Sequence, residues 1–362
     1  VTPVLGPRAL NRATLARQLL LERADLDPVD AVAHLAGLQA QTPQTWYVGL
    51  WSRLAGFDPA AVGTALQDRR LVRVPLMRST IHLVTAADAL AWRPLVDVVI
   101  ERSTTGVFGR RLAGVDRAAL VDRARELTTG RPMAAAELGR ALAGRFPGHD
   151  PDALAQGARM WLPMVQVPPR GVWGRSGRPL QTPLEHWLGR AQAPVPVADL
   201  VLRYLAAFGP ATVRDVQTWC GLTRLAEVVD DLPLATFRTE DGRALVDLPD
   251  APRPDPDVPA PVRFLYDFDN LLLSHADRSR IVGTVDYRTL GFGGDSGEQP
   301  SSVLVDGVVA ATWRAVRVRG AATLTVRPFR VLTPGERDAV TAEGAALLAF
   351  LHPRAAPEVV VG

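Results

Sequence analysis

The stretch Phe208-Gly209-Pro210-Ala211-Thr212-Val213-Arg214-Asp215-Val216-Gln217-Thr218-Trp219-Cys220-Gly221-Leu222 carries the punctuation that decides the fold. Proline opens it and glycine closes it, the normal asymmetry of helix boundaries. A helical segment over residues 197–208 precedes it, and another over residues 224–230 follows. Glu240-Asp241-Gly242-Arg243 then joins two short runs at 236–239 and 244–247. Asp-Gly between such runs is a strong hairpin signal. Helix, glycine corner, helix and hairpin, in that order, is the winged helix-turn-helix plan.

The same unit is legible twice upstream. Asp27-Pro28-Val29-Asp30 leads to the corner Gly37-Leu38, and Gly130-Arg131-Pro132-Met133 leads to Gly139. Helices are expected before them at 10–23 and 117–127, and after them at 58–67 and 151–161. Strands are expected at 71–77 with 80–84, and at 164–167 with a following ribbon. The spacing is uneven, so the chain reads as three tandem winged helices rather than a solenoid. Residues 250–261, with five prolines, form a semi-rigid linker. Beyond it the period becomes two: strands at 303–305, 308–318 and 322–327, with turns at Asp306-Gly307 and Arg319-Gly320. A helix over 333–351 follows, capped by Thr333 with Pro334 in its first position. The expected fold class is α+β, with units at 1–116, 117–195 and 196–250 and a β-rich C-terminal module with a closing helix at 251–362.

Composition narrows the function. With 362 residues, 47% hydrophobic and 22% charged, the chain is globular and long enough for several domains. A net charge of +3 leaves room for a nucleic-acid partner without requiring one. All 41 basic residues are arginine. GC-rich codon usage accounts for that bias, yet every cation is still a planar fork suited to phosphate and base edges. Cys220 is the single cysteine, which excludes an internal disulfide and a cysteine metal cluster. The six histidines are scattered, so neither a metal nor another cofactor is expected. Without a membrane-length apolar run, a signal-peptide pattern or a dimerising heptad, the expectation is a cytoplasmic, nucleoid-associated monomer.

Four segments are candidates for the chemistry. Gly37-Leu38-Gln39-Ala40-Gln41-Thr42-Pro43-Gln44 leaves the helical path at Pro43, so Gln39 and Gln41 converge on one side of an extended segment. Residues 167–180 hold Arg170, Arg175 and Arg178 with Trp173 among turn-formers. That is either an arginine-bearing hairpin for phosphate or groove contact, or a solvated loop with Trp173 packed on the core. Met77-Arg78-Ser79-Thr80-Ile81-His82 puts Arg78, Thr80 and His82 on one strand face, toward DNA or in an ordinary half-buried strand. In Tyr266-Asp267-Phe268-Asp269-Asn270 the two carboxylates either form a metal or acid–base pair, or cap turns and hold Arg278 and Arg280. A phosphate loop, a serine nucleophile elbow and a His-Glu-x-x-His site are all missing from the sequence.

These segments, with Phe208-Gly209-Pro210-Ala211-Thr212 and Val305-Asp306-Gly307-Val308, occur in one order that resembles the bacterial winged-helix DNA glycosylases that repair alkylated and crosslinked DNA. The double-glutamine form resembles the branch that confers self-resistance to the crosslinking antibiotic azinomycin B. Another branch has aspartate where this chain has Gln41. The resemblance implies that Gln39 and Gln41 are catalytic, that the partner is double-stranded DNA bearing alkylguanine or crosslink lesions, and that the units form a DNA-embracing cleft. The arginines nominated for DNA are Arg78, Arg170, Arg175, Arg178, Arg278 and Arg280, together with His82.

Glutamine at a glycosylase centre limits the chemistry. Its amide does not titrate usefully and offers one carbonyl acceptor and two N–H donors. The substrate must therefore supply the driving force, as a guanine alkylated at N7 does: it is already cationic and leaves neutral. Gln41 is then expected to accept a hydrogen bond from the attacking water, and Gln39 to orient that water or to contact the DNA backbone. Without lysine the usual Schiff-base lyase step has no nucleophile beyond the terminal amine, so the expected enzyme is monofunctional. The competing readings are a DNA-binding regulator or drug-sequestering protein, and a protein-interaction scaffold.

Overall fold

The computed structural model describes residues 2–283, 285 and 300–362. The segment around Trp219 folds as helices Val197–Phe208, Val213–Cys220 and Ala226–Asp230, followed by the antiparallel hairpin Ala235–Thr239 and Ala244–Asp247. The second helix begins later than Pro210 suggests. Thr212 caps it, and Asp215 reaches back to the Thr212 N–H at 2.8 Å, a reciprocal pair that satisfies two helix-end donors. Gly221 ends the helix at φ +82°, and a side chain there would meet Val99 Cγ1 at 2.7 Å. Val4–Leu5 adds a parallel third strand to this hairpin.

The two upstream units supply helices Pro7–Arg17, Pro28–His34 and Pro59–Gln67, then Arg117–Thr128, Ala135–Ala143 and Pro151–Trp161. The first is shorter than its apolar pattern suggests, and Pro132 precedes a short strand rather than a helix. Their hairpins do not stand apart. One six-stranded sheet runs in the order Leu38–Gln39, Ile81–Thr85, Leu71–Pro75, Met164–Gln166, Leu180–Pro183, Met133–Ala134. The halves meet where Arg73 pairs with Gln166. All five residues of Leu71–Pro75 are buried, as a central strand requires.

The C-terminal sheet has the order Arg263–Leu265, Ser301–Val305, Val308–Val318, Ala321–Pro328, Ala356–Val361. Helix Pro334–Leu351 closes it, with Thr333 and Glu336 forming a second reciprocal cap. The first and last strands are additions to the sequence reading. Their neighbours are not local: Arg263–Leu265 reaches Ser301–Val305 across a long connection, and Ala356–Val361 pairs parallel with Ala321–Pro328.

Cores cross the sequence-drawn boundaries. Val32, Leu50 and Leu83 share one cluster with Phe264, Val303 and Leu347. The proline-rich segment after Asp250 has no regular structure but is tied down. Arg8 donates to Pro256 O at 2.7 Å, Arg12 to Val258 O at 2.6 Å and Arg17 to Pro252 O at 3.3 Å. Arg17 also makes a buried bidentate pair with Asp247 at 2.6 and 2.7 Å. Several arginines, Arg12 and Arg17 among them, thus serve as internal clamps. Among the described residues, no helix is long and apolar enough to cross a membrane.

Candidate active site

The Gln39-Ala40-Gln41 segment begins on the edge strand of the six-stranded sheet, where Leu38–Gln39 pairs with Leu83 and His82. The chain turns out of helix Pro28–His34 through Ala36 and Gly37, both at positive φ. A side chain at position 37 would meet Val84 Cγ1 at 2.6 Å, so glycine is needed for the helix to hand over to the sheet so tightly.

Beyond that corner, buried side chains from distant parts of the chain hold the backbone carbonyls. Asn270 Nδ2 donates to Gly37 O at 3.0 Å, the Tyr266 hydroxyl to Gln39 O at 2.9 Å, and Arg73 Nη2 to Ala40 O at 2.8 Å. The Ala40 N–H donates to Ile81 O at 2.7 Å. Unpaired buried carbonyls are costly, so these donors fix the segment rather than merely touch it. Burial brings the Arg73 pKa down to about 10, aided by the nearby charge of Arg170. Among the described residues no carboxylate lies within ion-pair range of Arg73.

The two glutamines are unequal. Gln39 is buried, and its Oε1 accepts from Arg78 Nη2 at 2.8 Å. Gln41 is exposed, and its Oε1 accepts from the Ile81 N–H at a longer 3.3 Å. One lone pair of that oxygen remains for another donor. Arg78 does not share a strand face with Thr80 and His82. It sits in the turn Met77–Ser79 at φ +55°, and its other Nη donates to Trp219 O at 2.7 Å.

Tyr266 to Asn270 docks against this backbone from the C-terminal module. Asp269 caps the turn Asn270–Leu272 through Leu271 N and pairs with Arg53, both partners buried, at 2.8 and 2.9 Å. The expectation that these aspartates cap turns holds for Asp269, but its arginine is Arg53, neither Arg278 nor Arg280. Asp267 accepts from the Thr42 hydroxyl, and burial raises its pKa while the Thr42 and Thr45 hydroxyls oppose the rise. No cluster of three metal-ligating groups forms among the described residues. A cleft of about 500 Å³ opens beside the motif, lined by Gln44, Tyr266, Trp173, Trp313 and Arg314 among others.

A family model described as DNA glycosylase AlkZ-like matches residues 32–350, a span that includes both glutamines, the Tyr266–Asn270 segment and most of the C-terminal sheet. The chain belongs to the AlkZ-like DNA glycosylase family. The fold agrees. The structure of Streptomyces sahachiroi DNA glycosylase AlkZ superposes with a TM-score of 0.79 at 20% sequence identity, covering 99% of this chain and 100% of that one. No curated protein sequence matches the chain.

Within this AlkZ-like fold the residues nominated for DNA divide. His82 is fully buried, its pKa pushed down to about 3 by burial and by Arg78, and its Nδ1 lies 3.0 Å from Thr80 O. Arg280 is also interior and donates to Pro210 O at 2.9 Å and Thr14 Oγ1 at 3.3 Å. Both nominations are corrected on that ground: a phosphate cannot reach a ring or guanidinium enclosed in the core. Arg278 is half-buried at the start of Ser279–Val282.

Arg175 and Arg178 are exposed on a long loop between Met164–Gln166 and Leu180–Pro183, while half-buried Arg170 donates to Gly177 O at 3.1 Å. Trp173 packs between Tyr47 and Phe350, with ring centroids 4.9 and 5.0 Å away. Trp173 thus packs on the core, as the second reading of this loop expects, while Arg175 and Arg178 stay open to solvent. Gln44 stitches it to the motif, donating to Arg175 O at 2.7 Å and Val172 O at 3.1 Å.

The hairpin Val308–Val318 and Ala321–Pro328 carries exposed cations that the sequence reading did not nominate. At its end Arg314, Arg317 and Arg319 are exposed, and Val316 and Val318 are 45% and 62% exposed. The signal was present in Val316-Arg317-Val318-Arg319-Gly320, an alternation that continues after the core has ended. The sequence reading named the Tyr266–Asn270 segment for its carboxylates alone and gave no sign that Tyr266, Asn270 and Arg73 hold the carbonyls of the motif, because those targets are backbone atoms far away in sequence.

Proposed function

We propose that this protein is a monofunctional DNA glycosylase that hydrolyses the N-glycosidic bond of cationic 7-alkylguanine adducts and unhooks interstrand crosslinks. Such an activity would give resistance to a DNA-alkylating natural product. The observation that carries the reading is the clamped Gln39-Ala40-Gln41 backbone, which ends in one buried and one exposed amide. A site that cannot move a proton must work by fixed geometry, and three buried donors on neighbouring carbonyls supply it.

In this mechanism the exposed Gln41 carbonyl orients a water molecule on the face of the deoxyribose opposite the base. The C1′–N9 bond breaks, and its electrons neutralise the cationic purine. Water adds at C1′ with inversion, and its proton passes to solvent. Neutral lesions such as uracil lack this built-in leaving group and should be poor substrates.

We read the three helix-and-hairpin units, bounded at 1–116, 117–195 and 196–250, as winged helices. Together they form an open DNA-facing cleft that suits a lesion still tied to both strands. Exposed Arg175 and Arg178, with Arg314, Arg317 and Arg319, are the phosphate or groove contacts we favour. The protein would act as a monomer in the bacterial cytoplasm.

The test is a duplex carrying one 7-methylguanine, with abasic sites revealed by hot alkali, beside a Gln39→Ala, Gln41→Ala variant. Base release by wild type alone, with DNA binding kept by the variant, supports the reading. Equal release by both would move catalysis elsewhere, with Asp267 the next suspect. Binding without release on 7-methylguanine or an azinomycin-type lesion would leave a regulator. A β-elimination product formed as fast as base release would contradict monofunctionality.

A further inference from the structure

Arginine has donors and no acceptor, so the group it touches must present an acceptor. Arg78 Nη2 lies 2.8 Å from the Gln39 side chain, which settles which end of that amide faces inward: the oxygen. Gln39 is 3% exposed, so the amide is not free to turn over. The arginine is itself fixed. It occupies a turn in which two successive non-glycine residues have positive φ, Arg78 at +55° and Ser79 at +62°. Such backbone is costly and persists only where surrounding contacts over-determine it. One such contact is Trp219 O, 2.7 Å from Nη1, at the carbonyl end of helix Val213–Cys220, where a cation is favoured.

We infer that Arg78 is a positioning residue: it locks the Gln39 amide with its carbonyl inward and its N–H₂ outward, so that Gln39 serves the reaction as a donor. This deepens the glycosylase reading and rests on it. Gln39 would then hold an oxygen, of the attacking water or of the adjacent phosphodiester, and leave the acceptor role to Gln41. It also gives Arg78 a role other than phosphate contact and ties the geometry of the motif to the third helical unit.

The experiment compares wild type with Arg78→Met, Arg78→Lys and Gln39→Glu on a 7-methylguanine duplex. Single-turnover release at saturating protein is measured beside DNA affinity at several salt concentrations. The inference expects Arg78→Met to slow saturated release about ten- to a hundredfold with affinity within about twofold and an unchanged salt slope. Arg78→Lys should recover a large part of the rate, because an ammonium can donate to the same oxygen. Gln39→Glu keeps acceptors, loses both donors and should be as slow as Gln39→Ala.

Three results overturn the inference. Intact saturated release by Arg78→Met, with weaker binding and a salt slope lower by about one, would make Arg78 a phosphate contact. Wild-type release by Gln39→Glu would refute the donor role, even if Arg78→Met does not fold. Uniform loss in both Arg78 variants, without recovery by lysine, would refute the lock. A wild type that releases no base from this duplex or from a bulky 7-alkylguanine adduct would instead fell the glycosylase reading, and this inference with it.

Discussion

Asp269→Asn tests the clamp that brings the C-terminal module to the motif. In the folded protein both oxygens of Asp269 face Arg53, at 2.8 and 2.9 Å, and both side chains are 1% exposed. Asparagine keeps the volume and the acceptor that caps Leu271 N. It removes the charge and turns an N–H₂ toward one of the guanidinium N–H groups. Removing one partner of a buried ion pair costs about 3–5 kcal/mol, because the other charge stays buried and uncompensated. Arg53 keeps Gly49 O at 3.0 Å and a long contact to Gln18 Oε1 at 3.4 Å, which places the expectation at the lower end. Urea unfolding followed by both tryptophan fluorescence and far-ultraviolet circular dichroism is the assay, since coincident transitions are needed to read a free energy. With a slope of about 3 kcal/mol per molar, the midpoint should fall by about 1 M. An Arg53→Met, Asp269→Leu double variant should recover most of the loss, as apolar replacements of buried pairs often do. A single-variant loss below about 1 kcal/mol would refute the clamp, and so would a double variant no better than the single.

Tyr266→Phe leaves the buried Gln39 carbonyl without its 2.9 Å partner. It should cost about 1–2 kcal/mol in the same unfolding assay and slow base release at saturating protein more than it weakens DNA binding. Asp267 carries a pKa raised by burial, so the native state holds its proton to higher pH than the unfolded chain. Its contribution to stability is therefore greatest at low pH and declines as pH rises from the ordinary carboxylate value through the raised one; urea titrations of wild type and Asp267→Asn across that window should diverge in that sense. Arg317→Ala and Arg319→Ala remove exposed cations near the hairpin end and should each lower the salt slope of DNA binding by about one, leaving unfolding midpoints unchanged.

Local signals were the legible ones. Thr333-Pro334 announced the closing helix, Asp241-Gly242 the third hairpin, and Asp306-Gly307 the turn into the long strand. Each is set by backbone conformation within a few residues. The pairing of Arg73 with Gln166 and of Ala321–Pro328 with Ala356–Val361 left no comparable mark, since partners distant in sequence need only be compatible strands. The arginines show the same division. Composition made all of them look alike as candidates for phosphate, but burial separates Arg17, Arg53 and Arg73, which face internal acceptors, from Arg175, Arg317 and Arg319, which face solvent.

The sequence by itself determined the helix start capped at Thr333, the Asp-Gly turns of two hairpins, and that two glutamines stand one residue apart before a proline. It also determined that no lysine is available for a lyase step. Only the tertiary structure decided which of those glutamines is buried, which end of its amide faces inward, and that Asn270, Tyr266 and Arg73 hold the carbonyls around them. The reason is physical. Caps and turns are satisfied by neighbours along the chain, whereas a buried carbonyl takes its donor from whichever side chain the packing of the cores brings within about 3 Å.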